Sequence, residues 1–321
     1  MPRSSGRDRR DDGRPCGGGG RGGRRGSGRR LRGLRRGGPR NCGARHPHGD
    51  QGGAAMIANA LSVAGSDPSG GAGVQADLKA FSARGVYGMA AITALTAQNT
   101  RGVARAAPVA PDLVAAQIAE IRADVRIDAV KIGMIATAEI AATVADALDG
   151  LDAPLVLDPV MVAKGGARLL AEDAVAAMAE RLLPRAAVVT PNLPEAAALL
   201  GAPVAASRAS MAEQAEALVA RGARAALVKG GHLEGRESPD ALATNEGVVW
   251  LDGARTPTMN THGTGCTLSA ALAAELAKGA PLAEAAAAAK SYVAGAIAAA
   301  DRLSVGGGCG PTHHFHALWR A

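Results

Sequence analysis

From Met56 onward, short apolar runs alternate with longer stretches whose apolar residues recur every three or four positions. That alternation is the pattern of βαβ units, which bury both kinds of element only by building a mostly parallel sheet with helices on its faces. The strands fall at residues 60–64, 90–95, 129–132, 155–157, 187–189 and 225–228. Between them, Pro111 and Asp112 open a helix in which Val114, Ile118, Ile121 and Val125 keep helical spacing. Val175, Met178 and Leu182 do the same in a later unit, and residues 137–148, 211–219, 267–276 and 283–299 supply further helices. Trp250, within 241–252, marks a small antiparallel hairpin at one edge. The expected fold class is α/β with a mostly parallel sheet, without a second domain or an internal repeat.

Each apolar run stops at a small or polar cluster: GSDPSGG, TAQNT, KIGM, DPVM, TPNLPE and KGGH. Ligands of open parallel sheets bind beyond the carboxyl ends of the strands, so these clusters are expected to line one crevice. A single cluster of Gly, Pro and Asn often does no more than turn the chain. Six of them together point to a site.

The first 55 residues are of another kind, with 15 Arg, no Lys, four Asp and 17 Gly and no apolar period. Such a segment cannot bury enough apolar surface to offset chain entropy and is expected to be disordered. Its charge of +11, taken from the whole-chain +7, leaves −4 for residues 56–321, so the basic character belongs to the tail. An Arg/Gly tail can bind RNA through phosphate contacts, but this one lacks interleaved aromatics, and nucleic acid is an unlikely partner. It also lacks the apolar stretch of a signal peptide, and its Asp8, Asp11 and Asp12 argue against a transit peptide. The preferred reading is that Met56 starts the protein and that the codons before it are a mis-assigned upstream start. No window reaches the roughly 18 apolar residues of a membrane span. Cys266 and Cys309, with Cys16 and Cys42 in the tail, form neither a metal spacing nor a disulfide framework, which fits a cytoplasmic protein.

The segment THGTGCTLSAALAAEL, residues 261–276, carries the richest chemistry, because a Gly-rich turn runs straight into an Ala/Leu helix. Gly263 and Gly265 let the backbone approach a ligand, and the free N–H groups of the helix start make an anion site. Cys266 stands in the first turn, where the helix dipole and a nearby cation favour thiolate, so it is a candidate proton acceptor. A structural reading of the same residues, a plain turn and a small buried cysteine, is equally compatible with the local sequence. Two rival phosphate motifs fail. Gly65 to Gly73 lacks the Lys-Ser or Lys-Thr ending of a P-loop, and Gly71, Gly73 and Ala76 match a dinucleotide pattern without the strand placement or the later acid it requires. Lys229, one of six lysines in the chain, ends the run before KGGH, where it would face phosphate oxygens. Asn192, Glu195 and Asp158 offer oxygen ligands for Mg²⁺, although Asn192 and Glu195 also read as a helix cap and its first-turn acid. His313, His314 and His316 are read as packing or surface residues rather than as a metal tract.

Taken in order, GSDPSGGAGVQADLKAF, ITALTAQNT, KIGM, LDPVM, TPNLPEAAALL, VKGGH and NTHGTGCTLSAAL resemble the hydroxymethylpyrimidine/phosphomethylpyrimidine kinases of the ribokinase-like superfamily. The resemblance spans residues 59–319 and omits 1–55. It implies an α/β/α sandwich, usually a homodimer, that uses ATP and Mg²⁺ to phosphorylate 4-amino-5-hydroxymethyl-2-methylpyrimidine and then its monophosphate on the route to thiamin. By resemblance, Asp77 and Gln98 bond the aminopyrimidine, and Gly65, Met134 and Val160 form its pocket. Lys229, Asn192, Glu195 and Thr264 serve ATP, Asp158 and Glu195 serve the metal, the 263–266 turn is the anion hole, and Cys266 is the base. Many ribokinase-like kinases have Asp at the position of Cys266. The cysteine also occurs in some pyridoxal kinases, so a pyridoxal or pyridoxine kinase is the alternative; an RNA-binding protein acting through the tail is the alternative of another class.

Overall fold

The computed structural model describes residues 56–162, 166 and 172–319, and the expectation of disorder for residues 1–55 lies outside them. The strands are β1 (Asn59–Ala64), β2 (Tyr87–Ile92), β3 (Ala94–Asn99), β4 (Gly102–Pro108), β5 (Ala129–Ile132), β6 (Leu155–Leu157), β7 (Val188–Val189), β8 (Ala226–Lys229), β9 (Asp240–Thr244) and β10 (Gly247–Leu251). Eight of them form one sheet in the order β10-β9-β8-β7-β6-β5-β1-β2, and β3 pairs only with β4. All neighbours from β8 to β2 are parallel, while β9 and β10 add the antiparallel edge hairpin, with Trp250 opposite Ala241.

Successive side chains of a strand point to opposite faces, and the two faces bury different cores. Leu61 and Val63 of β1, Val130 and Ile132 of β5, and Ala226 and Val228 of β8 enter one apolar cluster; Ala60, Ala129 and Leu227 enter the other. On the far side, α1 (Gly73–Ala83), α7 (Thr264–Ala277) and α8 (Leu282–Ala298) cover the second cluster. The first is covered by α2 (Pro111–Asp124), α3 (Ala138–Ala147), α4 (Glu172–Arg181), α5 (Leu193–Leu200) and α6 (Arg208–Ala220). The result is the expected three-layer α/β/α sandwich. No helix among the described residues is long and apolar enough to cross a membrane.

One expected strand is different. The run at 90–95 divides into β2 and β3, because the chain turns out of the sheet at Thr93. Its N–H donates to Ala64 O at 3.0 Å, its hydroxyl donates to Met134 O at 2.6 Å, and Ala94 O accepts from Ser66 N at 2.8 Å. These bonds tie the start of β3 to the loop after β1. The continuous apolar run gives no hint of the break, and β4 is exposed along most of its length and has no period-two pattern to betray it.

Alternation also places Lys131 of β5 on the face covered by α1 and α7. The side chain is fully buried, and its ammonium donates at 2.9 Å to both oxygens of Asp77 on α1, which is buried as completely. Asp77 Oδ2 accepts a further bond from Ser62 of β1 at 2.6 Å. Burial pushes the Asp77 carboxyl up and works against the charged ammonium too, yet the attraction of Asp77 holds Lys131 above its ordinary value, and the two-oxygen contact with a third bond from Ser62 is the geometry of a buried ion pair. Removing one member strands a buried charge, whereas removing both does not. Asp77→Ala is therefore expected to lower stability to urea by about 3–5 kcal/mol. The double variant Asp77→Leu/Lys131→Met should recover most of that loss; a double variant as unstable as the single would exclude an ion pair here.

Candidate active site

The turn before α7 is shaped by two glycines of different loops. Gly263 caps the helix with a left-handed φ of 76°, and a Cβ built on it would stand 1.7 Å from Gly71 O, so both conformation and space demand glycine. No side chain caps the helix. Thr264 N donates to Thr261 O at 3.4 Å, Thr264 Oγ1 to the same oxygen at 2.8 Å, and Thr267 N to Gly263 O at 2.8 Å. The N–H groups of Gly265 and Cys266 lie in the first turn, where helix geometry provides no intrahelical acceptor. With the helix dipole behind them, they are donors of the kind that suits an anion.

Lys229, the last residue of β8, stands at this turn. Its ammonium is 3.3 Å from where a Gly265 Cβ would be, donates to Asp158 Oδ1 at 3.0 Å and lies 3.9 Å from Glu195 Oε2. Asp158, just beyond β6, also accepts from Ser269 Oγ at 3.1 Å and is 1% exposed. Burial pushes Asp158 up, but Lys229, Lys131 and these hydrogen bonds more than reverse that, and its carboxyl is held below the ordinary range. Glu195 has less compensation. Burial pushes it up to about 7, with Lys229 pulling down and Asp158 pushing up again. One nearby ammonium thus serves two buried carboxylates, and burial, which would lower Lys229, is outweighed by both of them, so its pKa is raised.

Asn192 and Glu195 are also a capping box at the start of α5: Asn192 Oδ1 accepts from Glu195 N at 2.9 Å, and Glu195 Oε2 accepts from Asn192 N at 2.8 Å. The cap and the charge cluster are the same residues, because the box aims the Glu195 carboxylate back toward the strand ends. Among the described residues no group of three or more His, Cys, Asp and Glu is arranged to hold a metal ion. The hard oxygens of Asp158 and Glu195 nevertheless fit Mg²⁺, which is commonly held by one or two carboxylates with phosphates and waters completing its shell.

Cys266 is partly exposed but densely surrounded. Burial pushes its thiol up to about 11, with Lys131 pulling the other way and Asp77 and Asp158 pushing up. The expected preference for thiolate is therefore corrected: desolvation and two carboxylates outweigh the helix start and the nearby cation, and the thiol is the resting form at neutral pH.

A small apolar patch apart from the two cores lines the strand ends. It joins Ala94, Met134 and Ala136, with Val160 packed against them. Gly65 belongs to the same place, since a Cβ on it would lie 2.9 Å from Met134 Sδ. Ala136 is the only non-glycine with positive φ among the described residues, at 72°. Such a backbone costs on the order of 1–3 kcal/mol and is found where the surrounding structure imposes it. Gln98, on β3, sits with Thr96 Oγ1 at 3.3 Å and His262 Nε2 at 3.4 Å from its amide. Asp77 uses three of about four carboxylate acceptor positions on Lys131 and Ser62.

The geometry adds Lys131, Ser269 and His262 to the residues singled out from the sequence. Lys131 had a signal, a charge inside the apolar run AVKI. Ser269 is hidden in an Ala/Leu helix, and His262 is overshadowed by its glycine neighbours. The three histidines at 313, 314 and 316 pack at the chain end: His314 Nε2 meets Thr267 Oγ1 at 3.1 Å, and burial pushes His314 down to about 3, while His313 lies edge-on to Trp319.

Comparison with known proteins shows the family. The profile described as phosphomethylpyrimidine kinase matches residues 67–313. A hydroxymethylpyrimidine/phosphomethylpyrimidine kinase of Rhizobium meliloti is 56% identical over 265 residues, covering 83% of this chain and 100% of that protein. Its counterpart in Escherichia coli is 54% identical over 262 residues, covering 81% of this chain and 98% of that protein. Among solved structures, an ADP complex of Bacillus subtilis pyridoxal kinase superposes with a TM-score of 0.76 at 38% identity, covering 83% of this chain and 100% of that one. The resemblance carried by the motifs is thus a true kinship, and the chain belongs to the phosphomethylpyrimidine kinase family.

Proposed function

We propose that the chain transfers the γ-phosphoryl group of ATP to the hydroxymethyl group of 4-amino-5-hydroxymethyl-2-methylpyrimidine, and then to the resulting monophosphate, on the route to thiamin. The observation that carries the reading is the uncapped start of α7, with Cys266 in its first turn and the Lys229 ammonium beside it. Phosphoryl transfer asks a protein mainly to position the reactants and stabilise charge. In this reading the Gly265 and Cys266 N–H groups receive the transferred phosphoryl oxygens, and Lys229 neutralises charge on them. Thr264, Asn192 and Glu195 hold the nucleotide side. Asp158 and Glu195 would hold Mg²⁺, which would supply positive charge to offset that of the phosphates.

The acceptor ring sits on the patch of Gly65, Met134 and Val160. Gln98 bonds its aminopyrimidine edge, and Asp77 contributes its remaining acceptor position. As the new O–P bond forms and the bond to ADP breaks, the hydroxyl proton passes to the thiolate of Cys266. The helix start and Lys131 support that thiolate in the small population ionised at neutral pH. A second reading, a pyridoxal kinase, is favoured by the 38% identity to the B. subtilis structure. The two are separated by turnover of the monophosphate: diphosphate formed from it, with pyridoxal much poorer, supports the pyrimidine kinase. Robust turnover of pyridoxal alone overturns the substrate and keeps the chemistry.

We also propose a homodimer. An isolated two-stranded hairpin is marginally stable in water, yet β3 and β4 stand outside the main sheet with Leu95 54% exposed. A second copy would cover this arm. Light scattering should give twice the chain mass, and Leu95→Lys should move the protein toward monomer; a monomeric wild type contradicts the dimer.

Two kinetic outcomes follow from the Cys266 assignment. Cys266→Ala should lower turnover by about 10² to 10⁴-fold, the range of a general base, with ATP affinity within about threefold; turnover within about threefold of wild type would remove the residue from that role. Because the thiol is pushed up to about 11, the active thiolate fraction grows throughout the neutral range. kcat/KM for the pyrimidine should therefore rise roughly tenfold per pH unit between about pH 7.5 and 9, above the titration of Glu195, and Cys266→Asp should flatten that rise. A flat wild-type profile would contradict the assignment.

A further inference from the structure

His262 is the buried titratable group at the site that the mechanism above leaves unused. It is held at both backbone groups, its N–H donating to Gly310 O at 3.0 Å and its C=O accepting from Thr312 N at 3.3 Å. Its ring fills the space where a side chain on Gly71 would stand, with Cδ2 2.5 Å from such a Cβ. From this fixed position Nε2 lies 2.8 Å from Asp67 Oδ2 and 3.4 Å from Gln98 Nε2. The imidazole therefore joins the loop after β1 to the β3–β4 arm.

Counting hydrogens determines what each group can do. Burial pushes the Asp67 carboxyl up, but bonds from His262 and Ser69 more than reverse it, so Asp67 is ionised and only accepts. His262 Nε2 accordingly carries a proton and donates it toward Asp67. A Gln98 NH₂ group at 3.4 Å would then confront a second donor. At the other end of the amide, Thr96 Oγ1 lies 2.8 Å from Ser66 O and 3.3 Å from Gln98 Oε1, two acceptors for one hydroxyl hydrogen. Turning the amide by half a revolution removes the donor–donor clash at His262 and the competition at Thr96. Its oxygen then takes the longer branch of the Nε2–H bond, whose shorter branch goes to Asp67 at 2.8 Å, its NH₂ donates to Thr96 Oγ1, and the Thr96 hydrogen remains for Ser66 O. Amide oxygen and nitrogen are assigned by such networks rather than seen directly.

We propose that His262, oriented by Asp67, is a positioning residue for substrate specificity: it locks the Gln98 amide with its oxygen toward His262 and its NH₂ toward Thr96, so that one order of donor and acceptor meets the aminopyrimidine. The inference rests on the reading that Gln98 bonds the ring. An aminopyrimidine presents an amino donor beside a ring-nitrogen acceptor, so the reversed amide order sets donor against donor and acceptor against acceptor. Sites built to hydrogen-bond a substrate discriminate sharply when such pairing fails. Pyridoxal has no amino group on its ring and makes no such demand on the amide.

The test compares four variants of the full chain with hydroxymethylpyrimidine and with pyridoxal, taking KM for ATP and the melting temperature as controls for folding. His262→Phe keeps the ring and removes the donor. It should raise KM for hydroxymethylpyrimidine about tenfold, with kcat, KM for ATP and KM for pyridoxal within about threefold. His262→Gln, whose amide N–H reaches the position of Nε2, should restore KM to within about threefold of wild type. Because His262 acts through Gln98, His262→Phe/Gln98→Ala should be no worse than Gln98→Ala. If Gln98→Ala raises KM but His262→Phe does not, or if His262→Phe harms both acceptors equally and His262→Gln fails to rescue, this inference is overturned while the reading of Gln98 stands. If Gln98→Ala leaves KM for hydroxymethylpyrimidine unchanged, the reading of Gln98 fails and the inference with it.

Discussion

The Lys229 ammonium, set between two buried carboxylates at the foot of an uncapped helix, is the interaction around which the rest of the site is arranged. A charge in this setting is poorly screened by water, so its 3.0 Å contact with Asp158 is strong and its longer approach to Glu195 leaves that carboxyl only partly compensated. The cluster is therefore tightly held yet short of positive charge beside its acids. In the proposed reaction a nucleotide with its cation would add charge of both signs to such a place, and the N–H groups of α7 would give the anionic part a fixed direction. Because the donors are backbone groups of a packed helix, they need little reorganisation as charge develops.

The fold serves this arrangement through alternation and close approach. Strand ends deliver Asp158 and Lys229 from β6 and β8 to one edge of the sheet, and the β7–α5 junction delivers Glu195 through its capping box. On the other face Lys131 and Asp77 pin β5 to α1 directly beneath the helix that carries Cys266. The Gly71 and Gly263 loops interlock so closely that no side chain fits between them. His262 then ties these loops to the arm bearing Gln98. The loops that carry Asp67, Gly71, Gly263 and Gln98 are thus one connected network.

Much of this was legible in the sequence, and what was hidden was hidden for physical reasons. The period of the apolar residues located the sheet, because Leu61, Val63, Val130 and Ile132 alternate with residues of the opposite core. The glycines of the 261–266 turn announced a close backbone approach, since only glycine adopts the left-handed cap of α7 without strain. The break at Thr93 was invisible because it depends on long-range bonds to Met134 and Ala64, and β4 because an exposed strand carries no apolar signature. The protonation of Cys266 was misjudged for a similar reason: the local helix start favours thiolate, but the burial and the carboxylates that reverse it come from elements distant in the chain.

The most direct test is the position of the triphosphate in a crystal structure of the chain with a non-hydrolysable ATP analogue. The account predicts terminal phosphate oxygens within about 3.2 Å of the Gly265 and Cys266 nitrogens, with the Lys229 ammonium against the same phosphates. A triphosphate anchored instead on the Gly65 to Gly73 loop, with the start of α7 and Lys229 unengaged, would contradict it.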